Sequence, residues 1–321
     1  MMKTDLNIYI KTEKNNEQSI KYLTGVNTDY GVLLEYPKKK VLYLTPLEEK
    51  PEGNFIVKTL NFEKLFKDIK KSEAKIIGMQ FSDISKKVFD IFKKNLKGIK
   101  IIDITKDASK KRNIKTEKEI NTIKKAVEIT EEILKNTFRN FKKFKTENDV
   151  EEFLRISCIK KGVKVSFDPI VASGIHSSNP HYFPKPNSKL RKGFCIIDFG
   201  IVFKGYCSDM TRTIYLGKPN KKDIEEYNKV KEELLRLEKE LKEGEKAKCT
   251  FKMIHALGHG IGLDVHEGPH LHIEKLQNKN VIALEPAIYN KKYGIRIEDN
   301  YVVRKNKIVR LGCSSRDLKI I

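Results

Sequence analysis

Apolar and polar positions in the first third of the chain follow two alternating patterns. Five short runs, rich in β-branched and aromatic residues, are typical of buried strands: NIYI, GVLLEY, KVLYL, KIIGMQF and KIIDI. In NFEKLFKDIKK and SDISKKVFDIFKKNL the apolar residues recur every three or four positions, which predicts two amphipathic helices. We therefore predict a small α/β domain over residues 1–110. It carries no histidine and no glycine-rich loop, so we expect it to shape a site elsewhere.

The pattern changes over residues 111–321, where long helices precede a series of strands and loops. The polar, basic segment KDASKKRNIK is interpreted as a linker between the two parts. Thr116 and Glu119 have the spacing of a capping box, which predicts the start of a long helix. A second helix is predicted from Thr146 and a third over residues 222–243. We predict a second, larger domain over residues 111–321.

The charge balance is strongly positive, with 65 Lys and Arg residues against 43 Asp and Glu residues and a formal net charge of +22. Such a charge can indicate a nucleic-acid or acidic partner. Here, however, lysine is spread through every segment, often beside glutamate, and no nucleic-acid-binding motif occurs. We interpret the charge as a solvated surface and expect no nucleic-acid partner.

The expected cellular location follows from three features that are absent from the sequence: a membrane span, a signal peptide and a disulfide framework. No apolar run approaches the roughly 18 residues of a membrane span, and the start has no signal-peptide pattern. The five cysteines are scattered and form no CxxC motif, which favours reduced thiols over a disulfide framework. We expect a soluble, cytoplasmic protein without a membrane partner.

Acidic residues within apolar strands are the first sign of chemistry. Asp198 lies inside the run FCIIDFG, and Asp209 follows after a glycine-bounded reversal. Glu285 and Glu298 are embedded in the same way, in IALEP and IRIED. A carboxylate costs several kcal/mol to bury without a partner. All seven histidines fall in two clusters near these strands, and acids combined with clustered histidines predict a metal site.

Two metal ions explain this set better than one. Four carboxylates bring a charge of −4, which two divalent ions offset, and a water molecule between the ions becomes hydroxide near neutral pH. A set of four carboxylates and one histidine is rich in oxygen. It favours Mn or Co, with Fe or Zn as alternatives, over a cysteine-rich structural zinc site.

Five motifs give the chain a specific resemblance. In chain order they are VASGIHSSNPHY, DFG(x)8D followed by MTRTI, GHGIGLDVHE, ALEPAIY and GIRIEDN. This series resembles the metallopeptidase family of methionine aminopeptidase, aminopeptidase P and prolidase, which has the pita-bread fold. The form RIED and the sequence YLTG at Tyr22–Gly25 resemble its Xaa-Pro branch. The resemblance implies an α/β (α+β) fold, with a creatinase-like α/β domain over residues 1–110 and a pita-bread catalytic domain over residues 111–321.

The resemblance also implies an activity and a role for individual residues. The activity would be hydrolysis of Xaa-Pro bonds by attack of a hydroxide that bridges two metal ions, as a dipeptidase or as an aminopeptidase. Asp198 would bind one ion, Asp209 and Glu298 would bind both, and His259 and Glu285 would complete the second. Glu285 would also handle the proton, His181 and His266 would bind substrate and stabilise the intermediate, and Arg296 would orient a ligand or the substrate. The implied partners are a proline-containing peptide and a second copy of the chain, in a homodimer.

Alternative functions remain open at this point. A non-catalytic pita-bread module that binds peptides or histones, or a metal-free creatinase-like hydrolase, would not need five intact ligands and two histidines. The sequence HEGPH at His266–His270 matches the zincin motif HExxH, but Gly268 and Pro269 oppose the helix which that motif requires. His176 stands where the family usually has asparagine, so it receives no catalytic role. The passage from Asp209 to His259 is shorter than usual for the family.

Overall fold

The apolar runs of the first part form strands of a six-stranded sheet in the computed structural model, which describes residues 3–321. The strands are β1 (Leu6–Lys11), β2 (Gly31–Glu35), β3 (Lys40–Leu44), β4 (Ile56–Thr59), β5 (Ile76–Met79) and β6 (Lys100–Asp103). Their order is β4-β3-β2-β1-β5-β6. Strands β1, β2 and β3 pair antiparallel, whereas β4, β5 and β6 join in parallel. Strand β4 was not predicted; it is a short edge strand whose apolar residues Ile56 and Val57 are not buried.

Four helices cover both faces of this sheet: α1 (Ser19–Thr24), α2 (Phe62–Lys71), α3 (Lys86–Asn95) and α4 (Thr105–Asn113). Since successive strand residues point to opposite faces, Ile8 and Ile10 pack with α2 and α3, whereas Tyr9 packs with α1 and α4. Helix α4 occupies most of the segment interpreted as a linker, so this segment is helical, and the boundary between the two compact units, after Arg112, lies within it. Its lysines and alanine favour a helix, and Asp107 in its first turn suits the helix dipole.

The chain divides into two compact units, one ending at Arg112 and one from Asn113 to Ile321. The second unit starts with the helices α5 (Glu117–Asn140) and α6 (Glu147–Lys160), and each begins with a capping box. Helix α7 (Lys221–Glu240) matches the third predicted helix. Residues 241–257 then contain neither helix nor strand, so the chain reaches the next strand by an irregular path.

Two four-stranded sheets position the site in the second unit. Its strands are β7 (Lys164–Val165), β8 (Ile170–Ser173), β9 (Gly193–Phe199), β10 (Ile201–Phe203), β11 (Tyr206–Cys207), β12 (Met210–Leu216), β13 (Gly258–Gly260), β14 (Val281–Leu284), β15 (Ala287–Tyr289), β16 (Gly294–Arg296), β17 (Asp299–Val303), β18 (Ile308–Arg310) and β19 (Lys319–Ile320). The large sheets have the orders β19-β12-β9-β8 and β13-β14-β17-β18. Val281 and Val302 pack in the core with α5, whereas their neighbours Ile282 and Tyr301 pack with α7. The second sheet thus lies between two layers of helices.

Two expectations about the whole chain were tested as well. All five cysteines are free thiols; Cys158, Cys195 and Cys207 are buried, whereas Cys249 is half-buried and Cys313 is exposed. Among residues 3–321, no helix has both the length and the apolar composition that a membrane crossing requires.

Candidate metal centre

The hairpin of β9 and β12 brings the first two predicted ligands together. Asp198 is the second-last residue of β9 and pairs in register with Thr211, which lies two residues after Asp209. Gly200 allows the close approach of these strands, because a Cβ atom there would lie 1.8 Å from the Ser208 carbonyl oxygen. Asp198 and Asp209 are only 7% and 5% exposed. Both carboxylates are therefore delivered to the interior by one local structure.

The other three predicted ligands come from the second large sheet. His259 is the middle residue of β13 and pairs with Ala283 of β14. Glu285 directly follows β14, and Glu298 directly precedes β17. The backbone N–H of Glu298 donates to the Thr211 carbonyl oxygen at 3.1 Å, which joins the two sheets at this point. The meeting of the two sheets therefore places all five side chains around one space.

The five side chains are close enough to share cations. His259 Nε2 lies 3.5 Å from Asp209 Oδ2 and 3.9 Å from both Glu285 Oε1 and Glu298 Oε1. Asp198, Asp209 and Glu298 also form a group whose oxygens lie within 4.8 Å of one another. Within residues 3–321, Asp198 Oδ1, Asp209 Oδ1 and Glu298 Oε1 are buried without a hydrogen-bond partner. Unpartnered buried carboxylates are costly, and bound cations would remove this cost. The group of Asp198, Asp209 and Glu298 shares Glu298 with the group of His259, Glu285 and Glu298, and two such groups fit two divalent cations.

The pKa values of the clustered carboxylates also favour bound cations. Burial raises the pKa of Asp209 well above its ordinary value of 3.8, and the neighbouring carboxylates of Asp198 and Glu285 raise it further. Burial also raises the pKa of Glu298 well above 4.5, with Asp209 and Glu285 adding to the effect. The pKa of Glu285 is raised chiefly by burial. Bound cations would reverse these shifts, because they stabilise the ionised carboxylates.

Arg296 lies inside the cluster and is 4% exposed. Its Nη2 is 2.5 Å from Asp198 Oδ2, its Nη1 donates to the Tyr289 hydroxyl at 2.6 Å, and its Nε donates to Thr211 Oγ1 at 3.1 Å. Thr211 in turn donates to Glu298 Oε2 at 2.8 Å. Arg296 therefore orients two of the carboxylates, one directly and one through Thr211. Sequence reasoning missed Thr211 and Tyr289, although they lie in the motifs MTRTI and ALEPAIY.

The two histidines predicted to bind substrate both line the same cavity as the carboxylates. The ring of His266 lies 4.1 Å from the ring of His259, at an interplanar angle of 80°. Partial burial, together with the nearby rings of His259 and His181, lowers the pKa of His266 to about 4. His266 is therefore neutral near pH 7 and can present an N–H group. The side chains of His266 and His181 are both exposed at the cavity.

The remaining histidines divide into one that joins the site and three that do not. His255 lines the cavity, with its Nδ1 3.6 Å from Glu285 Oε2 and its ring 5.5 Å from that of Tyr289. It comes from the irregular segment before β13, where no periodic pattern in the sequence indicates which way a side chain points. His176, His270 and His272 do not line the cavity.

The cavity itself has a volume of about 580 Å³, within the usual range for ligand sites. Its lining combines the carboxylates and histidines with an apolar wall of Phe167, Ile170, Phe183 and Val265. This combination suits a small ligand that has one polar reacting group and an apolar portion.

The sequence HEGPH does not form a zincin site. The segment 266–270 is not helical, and Glu267 is instead paired with Lys115, whose Nζ lies 2.7 Å from its Oε1. Both side chains are almost completely buried, at 1% and 2% exposure. The Glu267 N–H also donates to the Gly260 carbonyl oxygen at 2.9 Å. The ion pair and this hydrogen bond therefore fix Glu267 and Gly260, the residues that directly follow His266 and His259.

Replacing Lys115 with methionine is expected to lower the free energy of unfolding by about 3–5 kcal/mol, because it leaves the Glu267 carboxylate buried without its cation. Urea denaturation of the single variant and of Lys115→Met/Glu267→Gln tests this. The double variant removes both charges and should recover most of the loss. A single variant as stable as the native protein would contradict this account of the pair.

The chain is similar to a known protein family and to several of its members. Residues 121–305 match metallopeptidase family M24. The chain is 32% identical over 314 residues to the Xaa-Pro dipeptidase of Pyrococcus furiosus, covering 90% of this chain and 88% of that protein. With two other relatives, of Mycoplasma genitalium and Methanocaldococcus jannaschii, the chain spans just under two thirds of their length, 65% and 64%.

Solved structures extend the similarity to nearly the whole chain. The X-Pro aminopeptidase from Thermotoga maritima superposes with a TM-score of 0.90 at 27% identity, covering 99% of this chain and 98% of that one. The prolidase from Pyrococcus horikoshii superposes with a TM-score of 0.88 at 28% identity, covering 98% and 95%. These superpositions confirm the mixed α/β fold and the family resemblance predicted from the sequence.

Proposed function

Because the chain belongs to metallopeptidase family M24, we propose that it hydrolyses Xaa-Pro peptide bonds, as a dipeptidase or an aminopeptidase, with two divalent metal ions. One observation carries the proposal. Five potential ligands from two sheets converge on a single cavity, and three of their buried carboxylate oxygens have no hydrogen-bond partner within residues 3–321. A module that only binds peptides or histones would gain nothing from this costly arrangement, which therefore favours the enzyme.

The donor set suggests how the ions would be held. Asp198 would bind one ion, Asp209 and Glu298 would bind both, and His259 and Glu285 would complete the second. We favour Mn or Co, because the set is rich in carboxylate oxygen. When bound, the two ions would supply positive charge that promotes ionisation of water near neutral pH and polarises the scissile carbonyl.

The chain's own side chains would handle the proton and the developing charge. Glu285 would accept the proton of the attacking water on a carboxylate oxygen and pass it to the leaving proline nitrogen. His266, neutral near pH 7, and His181 would donate N–H groups to the oxygen that becomes negative. Arg296 would keep Asp198 in place through its 2.5 Å contact.

The apolar wall offers a reason for selecting proline. The proline nitrogen of an Xaa-Pro bond carries no N–H group, and its ring has a fixed shape. Phe167, Ile170 and Val265 can pack against such a ring and exclude water around it. A homodimer, implied by the resemblance, and a cytoplasmic location, expected from the sequence, remain part of this proposal.

The test compares Xaa-Pro dipeptides with longer Xaa-Pro peptides, using Mn- or Co-loaded protein and Xaa-Ala peptides as control substrates. We expect cleavage before proline and little cleavage before alanine. Activity confined to dipeptides would identify a dipeptidase, and activity on the longer peptides an aminopeptidase. Equal cleavage of the Xaa-Ala controls, or no cleavage with either metal, would overturn the proposal.

A further inference from the structure

A buried carboxylate outside the cavity organises one of its walls. Glu147 is the first residue of α6 and is 0% exposed. Its carboxylate accepts hydrogen bonds from Ser173 N at 2.6 Å, from Ser173 Oγ at 2.7 Å and from the Tyr182 hydroxyl at 2.8 Å. The His176 Nδ1 atom lies 2.9 Å from Glu147 Oε2. Since a buried carboxylate is tolerated only with such partners, the two segments that supply them are fixed relative to α6.

These partners belong to the end of β8 and to the segment 174–182, which delivers His181 to the cavity. The ring of His176 stacks on that of Tyr182, with centroids 4.5 Å apart and planes 20° apart. Tyr182 directly follows His181. Glu147 therefore holds the chain on the C-terminal side of His181.

The chain on the N-terminal side of His181 is held by Arg296 and Gly294, which belong to β16. The carbonyl oxygen of Pro180 accepts a hydrogen bond from Arg296 Nη1 at 3.4 Å. The hydroxyl of Ser177 accepts one from Gly294 N at 2.9 Å. His181 is thus one residue from each of two anchors. Its own side chain is exposed, so its position depends on the backbone that these anchors fix.

We propose that Glu147 is a positioning residue, which uses His176 and Tyr182 to hold the segment 174–182 so that His181 faces the reacting group. This inference rests on the proposed function, because it assumes that His181 contacts the substrate. It also gives His176 a role that is not catalytic: its ring provides the Glu147 carboxylate with a donor and supports the ring of Tyr182.

The test is a double-mutant cycle with Glu147→Gln, His181→Ala and the combined variant, assayed on an Xaa-Pro peptide. Glutamine keeps the shape but replaces one acceptor oxygen with a donor, so the partners of Glu147 cannot all be satisfied. We expect kcat/KM to fall by about 10-fold to 100-fold in Glu147→Gln, as for a misplaced catalytic group. In the His181→Ala background the same change should have no further effect, because both variants act through one side chain.

A matched control separates positioning from loss of stability. Glu131 is also buried, and its carboxylate accepts hydrogen bonds from Cys313 N and Ser314 N at 2.6 Å each, away from the cavity. Glu131→Gln should lower the unfolding temperature but change kcat/KM by less than about twofold in either background, because it shares no partner with His181. A second comparison uses His176: His176→Asn, which keeps an N–H donor, should retain most of the activity that His176→Leu loses.

Each outcome of the cycle is decisive. If His181→Ala leaves kcat/KM unchanged, the role of His181 in the proposed function is wrong and Glu147 cannot act through it. If His181→Ala lowers kcat/KM, but Glu147→Gln causes the same fold-loss in the His181→Ala background as in the native protein, only the inference about Glu147 is wrong. Should Glu147→Gln not fold, Tyr182→Phe, which removes one donor to Glu147, takes its place in the cycle and is judged by the same criterion.

Discussion

The substitution Glu298→Gln is expected to lower kcat/KM for Xaa-Pro peptides by more than about 100-fold, since changing even an outer partner of a metal ligand costs 10–100-fold. The reason lies in how both oxygens of this side chain are used. Glu298 Oε2 accepts the Thr211 hydroxyl at 2.8 Å, and Oε1 faces His259 Nε2 at 3.9 Å without a hydrogen-bond partner within residues 3–321. Glutamine offers one oxygen and one NH2 group, so it cannot serve the hydroxyl and two cations together.

Steady-state kinetics and elemental analysis of bound metal test this prediction together. The matched control is Glu233→Gln, because Glu233 is also buried but bonds to Arg236 and Thr250 beside α7. The control should keep its metal content and kcat/KM, whereas Glu298→Gln should lose metal as well as activity. A Glu298→Gln variant that binds two ions and remains fully active would show that Glu298 is not a bridging ligand.

Removal of metal is expected to destabilise the protein, and to do so more at pH 8 than at pH 5.5. In the metal-free protein the pKa values of Asp209, Glu298 and Glu285 are raised by burial and by the neighbouring acids. The folded state therefore binds protons more tightly than the unfolded state. The contribution of these groups to stability is complete below the ordinary pKa values of 3.8 and 4.5, and it is lost as pH rises through the raised values.

Bound cations should cancel this loss, because they favour the ionised carboxylates and compete with protons. Two ions, each present at 100 times its Kd, would stabilise the folded state by about 5 kcal/mol in total. Urea denaturation of chelated and Mn-loaded protein at the two pH values measures how much bound metal increases the free energy of unfolding. Glu298→Gln is the informative variant, since it removes one raised pKa and should flatten the pH dependence of the metal-free protein. If metal does not increase the free energy of unfolding, or increases it equally at both pH values, this explanation is wrong.

Of the eight residues singled out as ligands or catalytic groups, the four acids could be found from the sequence for a physical reason, whereas the family resemblance selected His181, His259, His266 and Arg296. Acids such as Asp198 and Glu285 stand out against the apolar strands that carry them, and the chain's histidines are clustered near those strands. The structure places all eight at one cavity. The strands of the first unit were equally visible, except for β4, which was not predicted although it contains Ile56 and Val57.

What the sequence did not reveal depends on contacts between distant segments. Thr211 bonds to Glu298, 87 positions away, and Arg296 bonds to Asp198, 98 positions away, through the meeting of two sheets. The Glu147 network depends on the position of α6 beside β8, which no local pattern specifies. His255 was missed because residues 241–257 have no regular structure that would indicate a direction for its side chain.

We propose that five side chains form a two-metal centre that makes the protein an Xaa-Pro peptidase: Asp198, Asp209, His259, Glu285 and Glu298. The most direct measurement is the titration of chelated, metal-free protein with Mn or Co while the hydrolysis of an Xaa-Pro peptide is followed. We predict no activity at the start and a rise that levels off at two equivalents of metal per chain. Full activity in the metal-free protein would contradict the claim.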